Sequence, residues 1–174
     1  MAFSDTMIRW VNSFKDGQNS ILLRTLLTPV FDRESSVALN TAGLAIKAGG
    51  STLVKSGAAD CYLIANGVMR KITAATDMPA LVGTVVNATF NVFCFFIDSG
   101  GTKTVAMGTA GATLAAMVFP PFPLKKALIG FIIVAPTGTG NFVGGTTALD
   151  DGTVVPGVVY FNGVAFDPAC LTGL

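Results

Sequence analysis

The sequence predicts a mainly β protein, an antiparallel β-sandwich or barrel preceded by a short helical or extended N-terminal arm. Three observations lead there. The only Glu (Glu34), the only Gln (Gln18) and the only Trp (Trp10) all fall within residues 1–34. The rest of the chain, without those two helix formers, is crowded with Gly, Thr and Val. From Ser36 onward apolar and polar residues alternate with period two, and Gly, Pro and Asn turns cut the pattern into about ten short strands. The chain therefore divides into an arm over 1–34 and a β domain over 35–174.

In the arm, Phe3, Met7, Val11 and Phe14 recur at helical spacing, Ser4 or Asp5 can cap the start and Gly17 can end it, which predicts an amphipathic helix over about residues 5–16. A second apolar cluster, Ile21 to Leu27, stops at Pro29 and reads as a further helical turn or two or as an extended segment. Either the arm covers the β domain's own core or it projects and docks on a neighbouring subunit. The second alternative makes Trp10, Phe14, Leu22, Leu23, Leu26 and Leu27 candidate interface residues.

In the β domain, Val37, Leu39 and Thr41 alternate, as do Leu44, Ile46 and Ala48 before the turn Gly49-Gly50-Ser51, and Leu53 to Lys55 gives a further strand. Asn66-Gly67, flanked by Tyr62–Ala65 and Val68–Ile72, selects a type I′ hairpin. After a turn at 77–80, Leu81–Val86 and Ala88–Asp98 read as strands around Asn87, and Phe90, Phe93, Phe95 and Phe96 supply core or interface bulk. Lys103–Met107 is one more strand. Ala110 to Val118 permits a helical turn or two, but Phe119-Pro-Pro-Phe-Pro123 forbids continuation, so 108–123 is a long structured connection whose Phe119 and Phe122 are a second interface candidate. Lys126–Ala135 is apolar enough to be a central strand. Asn141–Val143, Thr153–Phe161 and Val164–Phe166 complete the set, the last two joined by a second hairpin at Asn162-Gly163.

The composition excludes several function classes. With 51% hydrophobic and 12% charged residues the chain is unusually apolar, and 11 Lys+Arg against 10 Asp+Glu leave a net charge of +1. Such a balance lacks the electrostatic footprint of a nucleic-acid or anionic-membrane binder, and a charge near zero favours association. Without histidine there is no Ser-His-Asp or Cys-His mechanism and no His-containing zinc site. Cys61, Cys94 and Cys170 form no CxxC pair and read as reduced core residues. The long uncharged runs at 78–97, 105–124 and 127–149 are each broken by Pro, Gly, Asn or clustered Thr, and the N-terminus does not read as a secretory signal. Gly138-Thr-Gly140 and Gly144-Gly145 read as turn glycines, because no GxGxxG or Walker pattern is present. Asp150-Asp151 reads as a solvated turn, with a cation site as the sharper alternative. No cofactor is implied.

The phrases Tyr62-Leu-Ile-Ala-Asn-Gly-Val68, Ile72-Thr-Ala-Ala-Thr-Asp-Met-Pro-Ala-Leu-Val-Gly-Thr84, Lys126-Ala-Leu-Ile-Gly-Phe-Ile-Ile-Val134 and Gly144-Gly-Thr-Thr-Ala-Leu-Asp150 resemble small structural proteins of tailed-bacteriophage virions. The nearest likeness is to capsid decoration (cement) or head-fibre-like proteins, over roughly residues 44–161. The resemblance implies a non-enzymatic β module without catalytic residues. It implies assembly in many copies, often as homotrimers, on the major capsid protein at the virion's capsid surface, after synthesis in the host cytoplasm. A tail-tube or head–tail connector subunit and a receptor- or glycan-binding tip are the alternatives.

Overall fold

The computed structural model describes residues 35–162 together with Ile21, Thr25, Leu27 and Thr28. The predicted helix over 5–16 lies outside those residues. Among them the strands are, in chain order, β1 (Val37–Ala38), β2 (Ala45–Ile46), β3 (Val54–Lys55), β4 (Cys61–Ala65), β5 (Val68–Ile72), β6 (Thr84–Val85), β7 (Asn91–Asp98), β8 (Lys103–Met107), β9 (Lys126–Val134), β10 (Phe142–Val143) and β11 (Val158–Asn162). They pair antiparallel in a four-stranded sheet ordered β11-β9-β7-β8, a three-stranded sheet β1-β4-β5 and two short ribbons, β2-β3 and β10-β6. The fold is mainly β and sandwich-like; the sheets do not close into a barrel.

The four-stranded sheet is organised by its two central strands. β7 is apolar at nearly every position, so neither of its faces can be left in water. Phe93, Phe95 and Ile97 point into the larger core, shared with Leu63 and Cys61 of β4, Leu81, Phe142, Leu149 and Val155. Val92, Cys94 and Phe96 point the other way, into a second core with Leu128 and Phe131 of β9. The three-stranded sheet packs through β1 and β4 across β9, closing the larger core.

β9 serves both cores because of one irregularity. Phe95 pairs with Gly130 but Phe96 pairs with Leu128, so Ile129 is an extra residue, a β-bulge. Ala127 and Ile129 face the larger core before the bulge and Ile132 and Val134 after it, whereas Leu128, Phe131 and Ile133 serve the second. An uninterrupted period of two would have turned Phe131 and Ile133 inward. The bulge needs glycine: a Cβ on Gly130 would stand 2.6 Å from the Phe161 carbonyl oxygen and 2.7 Å from Leu44 Cδ1.

The hairpin at Asn66-Gly67 forms as the sequence predicts. Both residues have positive φ, 50° and 75°, the conformation a type I′ turn requires. Of the second predicted hairpin only Asn162 is described: it ends β11, paired with Gly130, and its Oδ1 accepts a hydrogen bond from the Leu44 N–H at 2.6 Å. Val164–Phe166 lie outside the described residues. Other predicted strands are shorter than the alternation suggested. Leu81–Val86 reduces to Thr84–Val85 because Gly83 turns the chain at φ 113°. Residues 152–154 form a turn, since the Asp151 carboxylate accepts from the Thr153 and Val154 N–H groups, and β11 opens only at Val158. Within 110–118 only a single 3-10 turn appears, Leu114–Ala116, capped by Thr113.

Replacing Gly130 by Ala is expected to lower stability by about 1–3 kcal/mol in urea unfolding. Gly152→Ala, where a methyl group meets open space, is expected to stay within about 0.5 kcal/mol.

Candidate interaction surface

The structure distributes the sequence-predicted interface residues unevenly. Trp10, Phe14, Leu22, Leu23 and Leu26 lie outside the described residues. Leu27 has helical backbone and an exposed side chain, as does Ile21, whose carbonyl accepts a hydrogen bond from Thr25 Oγ1 at 2.9 Å. Phe119 and Phe122 are half-buried on the chain's own sheet. The Phe119 ring meets Phe131 edge-on at 5.1 Å and the Phe122 ring meets Phe96 edge-on at 5.3 Å. Pro120 is buried between them in sequence. The second core would otherwise face water, and the proline-rich connection covers it, so these two rings have intramolecular work whatever else their exposed edges touch.

Reactive groups are occupied or silenced in the same way. Both Asp150 carboxylate oxygens lie within 3.0–3.1 Å of the Gly50 N–H and fasten the Gly49-Gly50-Ser51 turn. Asp151 caps the following turn, as described above. Among the described residues no group of three or more Cys, Asp or Glu side chains could hold a metal ion. Burial pushes the Cys94 thiol up to about 12 and the Cys61 thiol up to about 11, so both are protonated thiols near neutral pH. Among the described residues no helix is long and apolar enough to cross a membrane.

What stands out instead is the outer face of the β1-β4-β5 sheet. On β4, Cys61, Leu63 and Ala65 point inward and are fully buried, so Tyr62 and Ile64 point outward. The register places Val37, Ile64 and Met69 in one row across three strands. The Leu39 N–H continues the β1–β4 ladder to the Tyr62 carbonyl at 2.9 Å, placing Leu39, Tyr62 and Lys71 in a second row. Leu39, Tyr62 and Met69 are 46%, 41% and 64% exposed. An antiparallel sheet with one face in water ordinarily carries polar residues there; this one carries five apolar side chains and one cation.

Lys71, that cation, is itself neutralised. Its Nζ lies 2.7 Å from Asp60 Oδ2, while Asp60 Oδ1 accepts the Ala74 N–H at 2.9 Å. The bond from Lys71, then that from Ala74, holds the Asp60 carboxyl below its ordinary value, and Asp60 in turn raises Lys71. Arg70, on the opposite side of β5, donates to the Ser99 carbonyl and ties the hairpin to the β7–β8 turn. The outer face is thus held in place, apolar and close to neutral.

Other exposed apolar side chains are sparser. Val82 and Val86 flank β6 beside Val143 of β10; Leu114, Val118 and Leu124 punctuate the connection; Val159 and Phe161 line β11, where Phe161 stacks on Phe131 at 4.8 Å. Sequence reasoning identified the β4–β5 hairpin but not its outer face. The signal was available: Cys61–Ala65 is apolar at both parities, which a strand with one wet face does not need.

Two outcomes follow from this chemistry. In native protein at pH 8 a thiol reagent is expected to leave Cys61 and Cys94 unmodified and to reach both after denaturation, which counting modified cysteines by mass spectrometry would show. The lowered Asp60 carboxyl contributes stability that is present above its unfolded value near 3.8 and lost as pH falls through its lower folded value. Asp60→Asn should therefore flatten the acid limb of the stability–pH profile in that window. No family model matches the chain, and no curated protein or solved structure matches it either.

Proposed function

We propose that the chain is a non-enzymatic structural subunit of a phage virion, a capsid decoration protein that binds the outer surface of the major capsid lattice and stabilises it. The observation that carries this reading is the sheet β1-β4-β5, which is apolar on both faces while, among the described residues, only one is covered. A surface of that kind is stable in water at a cost that contact removes: each 100 Å² of apolar area withdrawn from solvent contributes about 2.5 kcal/mol before the losses of association. Repetition over a lattice converts modest contacts into strong retention, because each subunit engages several neighbours at once.

The resemblance of the 62–68, 72–84, 126–134 and 144–150 phrases to virion structural proteins supports the same reading. So does the disposition of reactive groups: Cys61 and Cys94 are buried thiols, and Asp150 and Asp151 are engaged by backbone N–H groups. The mechanism is mechanical. A subunit that bridges coat proteins adds buried area which must be re-exposed before the shell can expand.

The test is co-sedimentation of the purified protein with empty capsids of its own phage. Binding that saturates at a stoichiometry matched to lattice positions, and that raises the temperature at which capsids rupture, is the expected result. Polymerisation into tubes would favour a tail-tube or connector subunit, and binding to host cells without capsid binding would favour a receptor- or glycan-binding tip. Either result would overturn decoration.

A further inference from the structure

We propose that the outer face of the β1-β4-β5 sheet receives the Leu22–Leu27 segment of a second copy of this chain, so that subunits associate by exchanging arms. The inference deepens the structural-subunit reading on which it rests, by naming the first partner of that face. Two apolar surfaces of one chain are left uncovered together: Leu39, Tyr62 and Met69 on the sheet, and Ile21 and Leu27 in helical backbone of the arm. Among the described residues neither surface covers the other.

The place where the arm joins the domain puts it beside this face. The Ser35 carbonyl accepts the Gly67 N–H at 2.8 Å and Ser36 Oγ accepts the Asn66 N–H at 2.9 Å. The arm is therefore tethered at the β4–β5 turn, next to the row that holds Met69. The six residues at 29–34 between Thr28 and Ser35 span at most about 20 Å, which sets the reach of the segment from that tether.

Chemistry matches across the contact. In sequence, Leu22, Leu23, Leu26 and Leu27 stand at spacings i, i+1, i+4 and i+5, those that a helix would gather on one side, and Arg24 is the only charge in the segment. The receiving face is apolar, with its Lys71 already paired to Asp60. Leucines laid on Val37, Leu39, Ile64 and Met69 bury no unpaired charge. Because donor and acceptor are different surfaces, the contact is head-to-tail, and it closes only as a ring, the smallest cyclic form beyond a dimer being a trimer.

Two full-length variants and their mixture test this by light scattering. Met69→Asp disables the face, and Leu39→Asp serves as a second face variant; both positions are exposed, so a cooperative thermal transition should be retained. The double variant Leu22→Asp with Leu26→Asp disables the arm. The wild type is expected to be a discrete oligomer and each variant a monomer. Mixed in equal amounts, the face variant still offers its arm and the arm variant still offers its face, so a complex of twice the monomer mass is expected.

A monomeric wild type, variants that keep the wild-type mass, or a mixture that stays monomeric would each overturn the proposal; the first, with a mixture that still pairs, would mean that the arm folds back on its own sheet, and the last that arm and face do not bind. Capsid co-sedimentation of wild type and Met69→Asp separates this from the virion reading. An arm-exchanged oligomer that ignores capsids fails decoration alone, whereas a capsid-binding protein whose Met69→Asp variant keeps its mass fails arm exchange alone.

Discussion

The pairing of β7 with β9 is the constraint on which the rest of the structure depends. From Asn91 to Asp98 one strand meets the other rung by rung, with a single bulge between Phe95 and Phe96. Both strands are too apolar to leave either face wet, so two separate layers must be found to cover them. The larger core recruits the three-stranded sheet and the two ribbons. The smaller one recruits the proline-rich connection, whose Phe119 and Phe122 rings lie edge-on against Phe131 and Phe96. The bulge at Ile129 is what lets one strand supply residues of correct parity to both, and Gly130 is the residue that makes room for it.

That division of labour explains where surface is left over. The connection, whose Phe119 and Phe122 the sequence marks as a candidate interface in a proline-rich stretch, is drawn inward by the second core. The β4–β5 hairpin, whose sequence announces only a tight turn, has its inner side filled by Cys61, Leu63 and Ala65 and presents Tyr62, Ile64 and Met69 outward. A protein-binding function proposed for this chain thus falls on the sheet whose first strand directly follows the arm. The polar groups near it serve to hold it: Asp60 on Lys71, Arg70 on Ser99, Ser35 and Ser36 on the turn.

Much of the fold was legible because strong local signals agreed with tertiary demand. Asn66-Gly67 formed its type I′ turn, Lys103–Met107 is a strand over those same residues, and the run from Lys126 proved to be a central strand. Legibility failed where side chains far apart in sequence decide the outcome. The Asn162 side chain, for one, accepts from the Leu44 N–H across 118 residues of sequence, a contact that no local pattern announces. Alternation from Thr153 promised a strand, but the Asp151 carboxylate bends it into a turn. The bulge carries no short sequence mark beyond a glycine in an apolar run, and the identity of the outer face required the register of three strands, which periodicity alone does not supply.

The central claim is that the outer face of β1-β4-β5 is a contact surface in the assembled state. Hydroxyl-radical footprinting of the full-length protein, dilute and then assembled, tests it most directly because Met69 and Tyr62 report on that face by their own oxidation. The account predicts that assembly slows oxidation of both residues severalfold while Leu114, on the connection, is unchanged. Equal oxidation of Met69 in the dilute and assembled protein would contradict it.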